Sequence, residues 1–515
     1  MQQKVYKLTN PQKSIWFTQE FFKGTSIENI TGTVIMPNKV DFKILEKAIN
    51  IYVAKNDSFR LKFFIENKIV KQYVEPYSEF KTQIIDVLSD AELKKVSEEI
   101  SHTPFDVIDS LLFDFKLIRF PDAHGGFILN AHHLISDAWN SGICASEVIR
   151  IYTSLIKDED LTNLFYPSYI EYINSEQEYM QGERFSKDKI FWNNIFKYVP
   201  EIATIPSTKP LNNTIQLGTA NRKHFNIPKN LIEKVNGLCK TYKFSIFNFF
   251  MAVYAIYVGR ISNLDEFTLG TPILNRSNVK EKHTSGMFIN TVPVKISLNN
   301  NMKFTDFASG ISSDLFNIFK HQKYPYLSLL EDLRQKDSSI PNLYNILISY
   351  QNIRSDAQNL ENPFEVTWIP NGYVADDIDI HIYDLNDTGN IDIAYDYKNE
   401  KYSEEDIKNI HNRILNIVNS ILGNAEISID DIEIVTDEEK NTLLKDFNNT
   451  KVKYDETKTL STLIEEQALR TPNRVALVFE NKEMTYKELN EKSNSLANYL
   501  RNQGIQPNDI VRHYV

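Results

Sequence analysis

Cysteine is almost missing from this chain: Cys144 and Cys239 are the only two in 515 residues. Two cysteines so far apart in sequence give neither a disulfide framework nor a CxxC metal site. They read as small buried hydrophobes in a reducing compartment. Glycine is scarce as well, at 16 residues, so repeats or phosphate cradles built from many glycines are not expected. Basic charge is not in excess: 57 Lys and Arg face 68 Asp and Glu, for a net charge of -11. A nucleic-acid footprint needs a basic face, and an anionic membrane surface needs a polybasic one, so neither partner is expected. Long apolar runs are lacking too. The most apolar stretch, Phe244 to Val258, is broken by Ser245 and Asn248, and it falls short of the ~20 residues of a membrane span. The first ten residues have no apolar core and form no signal peptide. The chain is expected to be cytoplasmic and globular.

What is present is an ordinary folded composition, 42% apolar and 24% charged, at a length that suggests about three or four units. Strand and helix signals alternate loosely, as in an α+β protein of two comparable lobes. Helices are expected at Asn10–Phe22, with Asn10 as N-cap and Pro11 at the first position, and at Lys43–Lys55. Another should carry Cys144, Val148, Ile151, Tyr152 and Leu155 on one face. Ser245–Arg260 and Tyr402–Leu422 also read as helices, and the aromatic residues of the first read as core. Strands are expected at Gly125–Leu129, Phe267–Gly270, Leu343–Tyr350 and Ile391–Tyr397. The texture changes near Val435. Residues 436–456 are polar and read as a linker. A helix (Leu460–Arg470), a strand (Val475–Phe479) and an amphipathic helix (Lys487–Gln503) follow.

One cluster concentrates reactive side chains: Asn130-Ala-His-His-Leu-Ile-Ser-Asp-Ala-Trp139. On a strand, His132 and His133 point to opposite faces, so one can face a cavity while the other packs inward. A neutral imidazole at a cavity mouth can accept a proton near pH 7. Asp137 stands before a helix, where its carboxylate can cap free N–H groups. A His-His pair also fits a purely structural role. A metal site is not expected, because no further ligands lie at local spacing.

His132 to Ala138 resembles the HHxxxDG signature of condensation domains of nonribosomal peptide synthetases, whose core is shared with chloramphenicol-acetyltransferase-like acyltransferases. Five further segments are similar to that family's motifs, in its order. They are Leu8–Trp16, Phe191-Trp192, Gly270–Arg276 (GTPILNR), Gly286–Pro293 (GMFINTVP) and His321–Tyr326 (HQKYPY). Beyond them, Met484–Asn490, Leu496-Ala497 and Asn508–Val511 resemble the first core motif of an adenylation domain. The later motifs of that domain, with its phosphate loop, are absent. The closing residues 512–515 depart from the small apolar residues expected there.

The resemblance implies two acetyltransferase-like lobes, 1–178 and 179–435, set as a V-shaped pseudo-dimer around a central tunnel. The linker 436–456 and the opening part of an adenylation domain, 457–515, would follow. It implies an amide-forming acyltransferase, in which an amine attacks a donor thioester. No cofactor would be held permanently. Phosphopantetheine thioesters would be delivered by carrier proteins or coenzyme A, with downstream adenylation and carrier domains as partners of a monomer. His133 matches the catalytic position, as a base or as a group that holds the amine. His132 and Asp137 are read as structural, with Asp137 paired to Arg276. Ala138 stands where the family has glycine, and Asn140 where serine is common, with Ser141 next. Ala138, Trp139, Asn140 and Ser141 are therefore candidates for the tunnel wall and for an N–H that binds the developing oxyanion.

The resemblance to the condensation domain begins close to Met1, and no upstream carrier domain is expected. Leu8–Trp16 and Phe22–Ile27 resemble lipopeptide-synthetase starters. On that resemblance the donor is a fatty acyl group on coenzyme A or on a carrier protein, and the product an N-acyl amino acid. An elongating domain with a peptidyl donor is the alternative. So is a catalytically weak recruitment module of the same fold. Epimerisation domains share the motif, but they usually follow a carrier domain.

Overall fold

A computed structural model describes residues 4–209, 218–299, 301–352, 362–384, 389–506 and 508–512. Two compact units divide the chain, Met1–Thr436 and Asp437–Val515. The closing residues 513–515 lie outside the described residues.

The first unit carries two main sheets. One has β2 (Asn29–Lys39), β7 (His124–His132), β6 (Phe113–Arg119) and β5 (Gln83–Asp86) side by side in that order. The other runs β10 (Asn290–Ser297), β9 (Glu266–Ile273), β11 (Ile346–Gln351), β13 (Ile378–Tyr383), β14 (Ile391–Lys398) and β8 (Ala220–Ile227). Each sheet has its own apolar core, so the unit is built of two lobes. A small sheet of β1 (Val5–Lys7), β4 (Ile69–Val74) and β3 (Leu61–Glu66) completes the first lobe. The halves are also tied by an exchange: β12 (Glu365–Ile369), from the second half of the chain, pairs antiparallel with the edge of β2.

Strand β7 lies between β2 and β6 and is buried almost throughout, which is why it reads as a run of apolar residues and not as an alternation. It extends three residues beyond the expected end at Leu129, so His132 is the last strand residue. The helix Ile246–Ser262 is buried continuously from Phe249 to Gly259. Its aromatic side chains fill the second lobe's core, as expected. Among the described residues no single helix is long and apolar enough to cross a membrane.

Several boundaries differ from expectation for local reasons. The first helix is capped by Thr9, not Asn10. The Thr9 hydroxyl and the Gln12 side chain form a reciprocal capping box, which leaves Asn10 and Pro11 inside the first turn. The helix expected from Tyr402 begins at Glu404, after Ser403 as its cap. The strand expected from Leu343 begins at Ile346.

In the second unit β15 (Val475–Phe479) and β16 (Lys482–Thr485) form a hairpin. A helix at Tyr486–Asn502 follows, capped by Thr485 with Glu488 reaching back. Part of the polar linker is helical, at Asp437–Asn441 and Thr442–Asp446.

Candidate active site

The two histidines leave the end of β7 in opposite directions, and their ring nitrogens are set in opposite ways. His132 is fully enclosed. Its Nδ1 accepts the N–H of Leu134 at 3.1 Å, so Nε2 carries the hydrogen and donates to Gln19 Oε1 at 3.0 Å. Both nitrogens are spent. His133 donates from Nδ1 to the carbonyl of Ser136 at 3.1 Å, which leaves the Nε2 lone pair free. Burial holds the imidazoles neutral, pushing His132 down to about 3 and His133 to about 4.

The free face of His133 stands where two cavities meet, of about 350 and 420 Å3. Both are lined by Thr18, His133, Ala138, Tyr344 and Leu347. Asp379 and His381 line both as well; the smaller adds Glu28, Arg222, Asp376 and Asp396, while the larger adds Pro11, Ile15, Phe17, Met287 and Ile289. Two substrates approaching from different sides would meet at Nε2.

Asp137 fixes the loop beneath. It caps the helix Ala138–Ile156 through Asn140 N (2.8 Å). It also accepts from the N–H of Phe288 at 2.9 Å and receives both terminal nitrogens of Arg276, at 2.7 and 3.1 Å. Both side chains are fully enclosed. Arg276 further donates to the carbonyl of Gly286 and lies 4.1 Å over the ring of Phe288. Gly286 is required here. Its φ is +145°, and a Cβ would fall 2.2 Å from the Tyr169 ring, whose hydroxyl donates to the carbonyl of Met287.

Of the four tunnel-wall candidates, Ala138 lines both cavities, and the other three side chains are engaged elsewhere. Trp139 Nε1 donates to the carbonyl of Lys282. Asn140 donates to Ser136 Oγ and accepts from Ser285. Ser141 is hydrogen-bonded to Ser136 Oγ and lines a small apolar pocket beside Trp368. The Phe191-Trp192 and His321–Tyr326 motifs brace one another. His321 hydrogen-bonds Asp188 at 2.7 Å and stacks on Phe191, while Trp192 donates to the carbonyl of His321.

Sequence reading missed the charged residues of the second sheet that line the smaller cavity. Arg222 grips Asp396 at two points of 2.6 Å each, and His381 approaches the same carboxylate at 3.3 Å. Asp379 is half-buried, and desolvation holds its carboxyl well above the usual range. These residues come from β8, β13 and β14, and only the folded sheet brings them together. Among the described residues no group of three or more His, Cys, Asp or Glu side chains is placed to hold a metal ion. Both cysteines are buried free thiols.

The model of the family described as "Condensation domain" matches residues 2–444. The chain belongs to the condensation domain family. The model described as "AMP-binding enzyme" matches residues 464–515. Surfactin synthase subunit 1 of Bacillus subtilis (strain 168) is 31% identical over 98% of this chain and 14% of its own length. A plipastatin synthase subunit of the same organism is 29% identical over 99% of this chain and 20% of its own. The chain thus spans a minor part of the curated relatives it matches. Among solved structures, the first condensation domain of the calcium-dependent antibiotic synthetase superposes with a TM-score of 0.74 at 14% identity, covering 84% of this chain and 99% of that one. A variant of the starter condensation domain of rhizomide synthetase, in complex with C8-CoA, gives 0.74 at 18% identity, covering 84% and 98%. A four-domain nonribosomal peptide synthetase bound to AMP and glycine gives 0.80 at 17% identity, covering 98% and 39%. The two-lobed, acetyltransferase-like α+β fold expected from the sequence is the fold of these condensation domains. Condensation domains of nonribosomal peptide synthetases form amide bonds and act as acyltransferases.

Proposed function

We propose that the chain is a starter-type condensation domain, joining a fatty acyl thioester to the amine of an aminoacyl-carrier protein. The observation that carries the amide-forming reading is the free Nε2 of His133 at the meeting of two cavities. An amine N–H donates to that lone pair, which aims the nitrogen at the thioester carbonyl. The C–N bond forms, the C–S bond breaks, and the nitrogen's proton ends on the departing sulfur. With its pKa near 4, His133 is a weak proton sink at neutral pH, so holding the amine in line is its main contribution. Alignment of two bound reactants can be worth ~7–11 kcal/mol. His133 is then the catalytic residue, with His132, Asp137 and Arg276 structural and Ala138 on the tunnel wall.

The starter reading is supported by likeness to subunits of surfactin and plipastatin synthases and to a starter domain crystallised with C8-CoA. On it, the donor arrives on coenzyme A or an acyl-carrier protein, the acceptor on the phosphopantetheine arm of a carrier protein. The AMP-binding stretch opens the adenylation domain that selects the acceptor. The protein works as a cytoplasmic monomeric unit and keeps no cofactor of its own. An elongating domain would use a peptidyl-carrier donor instead. Purified protein given an aminoacyl-carrier acceptor and either acyl-CoA or a peptidyl-carrier donor separates the two by mass spectrometry. N-acyl amino acid from acyl-CoA is expected. Product from the peptidyl donor alone overturns the starter reading. No amide from either overturns the enzyme reading and leaves the recruitment module.

A further inference from the structure

A carboxylic acid stands directly across the sheet from His133. Strands β2 and β7 pair antiparallel with Asn29 opposite His132. One step further, the His133 N–H donates to the carbonyl of Glu28 at 2.8 Å. Residues opposite one another in an antiparallel pair share a face, with Cβ atoms about 4.5–5.5 Å apart. Both side chains accordingly line the 350 Å3 cavity. Glu28 is otherwise enclosed, at 6% exposure, and the nearby Thr18 hydroxyl donates to the carbonyl of Ser14. The other acidic and basic groups on that cavity are Arg222, Asp379, His381 and Asp396 from the opposite sheet and Asp376 just before β13, and the phenols of Tyr344, Tyr373 and Tyr383 line it too. Asp396 is taken by Arg222 and His381. Asp376 and Asp379 belong to the second lobe, where β13 pairs with β11 and β14 and not with the strand that carries the histidines. Glu28 is the carboxyl tied to His133 by register.

We propose that Glu28 is the proton acceptor for the attacking amine, with His133 holding the nitrogen in place. The proposal rests on the reading that His133 orients an amine. As the C–N bond forms, the nitrogen's proton passes to the Glu28 carboxylate. As the C–S bond breaks, the Glu28 carboxyl returns it to the departing thiolate. Atoms and charges balance with no further reactant, and the carboxylate is regenerated each turn. Burial raises the Glu28 carboxyl to about 8, close to the basicity of an aminoacyl amine and far better matched to it than the His133 ring.

The test uses the full chain, a donor thioester and an acceptor whose amine is far less basic than an ordinary α-amine, so that only enzyme groups titrate near pH 8. Wild type should speed up about tenfold between pH 7 and 9 as a carboxyl of pKa about 8 ionises. Glu28→Gln should be slower and lack that climb. Asp376 and Asp379 are present in both proteins, so the difference isolates Glu28. Parallel profiles, or equal rates, overturn the proposal while leaving amide formation intact. Absence of amide at any pH with every donor instead overturns the reading beneath it. Should Glu28→Gln fail to fold, the wild-type profile decides: a flat rate between pH 7 and 9 overturns the proposal.

Discussion

Asp137 and Arg276, 139 residues apart in sequence, close a two-point ion pair of 2.7 and 3.1 Å with both side chains cut off from solvent. The carboxylate also holds the start of the helix Ala138–Ile156 and the N–H of Phe288. One residue thus fixes the histidine loop of the first half to the loop after β9 of the second. Arg276→Ala should cost about 3–5 kcal/mol, since it leaves the Asp137 charge enclosed without its partner. Arg276→Lys should recover only part, because an ammonium cannot reproduce the planar fork. Thermal denaturation followed by circular dichroism measures both. An Arg276→Ala protein as stable as wild type would show that the pair does not hold the lobes' loops together.

The histidines separate by the same kind of argument. His132→Ala removes the acceptor for Leu134 N–H and the partner of Gln19, stranding two buried polar groups at ~1–3 kcal/mol each. Its first effect is on stability. His133→Ala breaks one hydrogen bond to a carbonyl and opens space on a cavity wall. The fold should survive while amide formation is lost. Melting temperature and single-turnover rate, measured on both variants, should move in opposite proportions. Full activity of His133→Ala would remove the reacting nitrogen from the scheme.

Glu28 carries a stability signature separate from its rate signature. Burial raises its folded pKa to about 8 from an ordinary value of 4.5. The folded protein therefore keeps a proton that the unfolded chain has given up between those values. By linkage, wild type loses stability as pH rises through that window, and no more above it. Gln cannot ionise, so Glu28→Gln should match wild type near pH 5 and be the more stable protein at pH 8. The gain should not exceed roughly 4–5 kcal/mol. A stability difference that stays the same from pH 5 to pH 8 would mean that Glu28 is ionised in the folded protein.

The sequence made the histidine loop legible because its chemistry is local: His132, His133, Asp137 and the helix it caps lie within one strand–loop–helix passage. The Asp137–Arg276 pair became readable through the order of the family motifs, since no spacing rule links residues so far apart. What stayed hidden depends on register and crossing. Nothing in Ser26-Ile-Glu28-Asn29 marks the glutamate; its role follows from the pairing of Asn29 with His132. The passage of β12 into the first lobe's sheet leaves no periodic signal, because β12 is a short edge strand. Thr9 displaced Asn10 as the cap because the reciprocal bond to Gln12 satisfies two N–H groups at once, a preference visible only when the box is sought.

Ala138 offers the test of how the cavity junction is sized. It is the first residue of its helix, directly after the Asp137 cap, and its side chain lines both cavities alongside His133. Its backbone needs no positive φ, so the methyl group is a choice of volume and not of conformation. Ala138→Gly removes that methyl at the point where two substrates would meet. The penalty should stay within about 1 kcal/mol, the helix-interior cost of glycine and an upper bound at a first turn. Donors branched or bulky next to the thioester carbonyl should gain rate relative to unbranched ones, while the His133 and Asp137 geometry is unchanged. Competition between the two donor types in one reaction, read as a product ratio by mass spectrometry, measures the shift without depending on absolute activity. An unchanged ratio would place the constriction elsewhere on the shared wall, at Thr18, Tyr344 or Leu347.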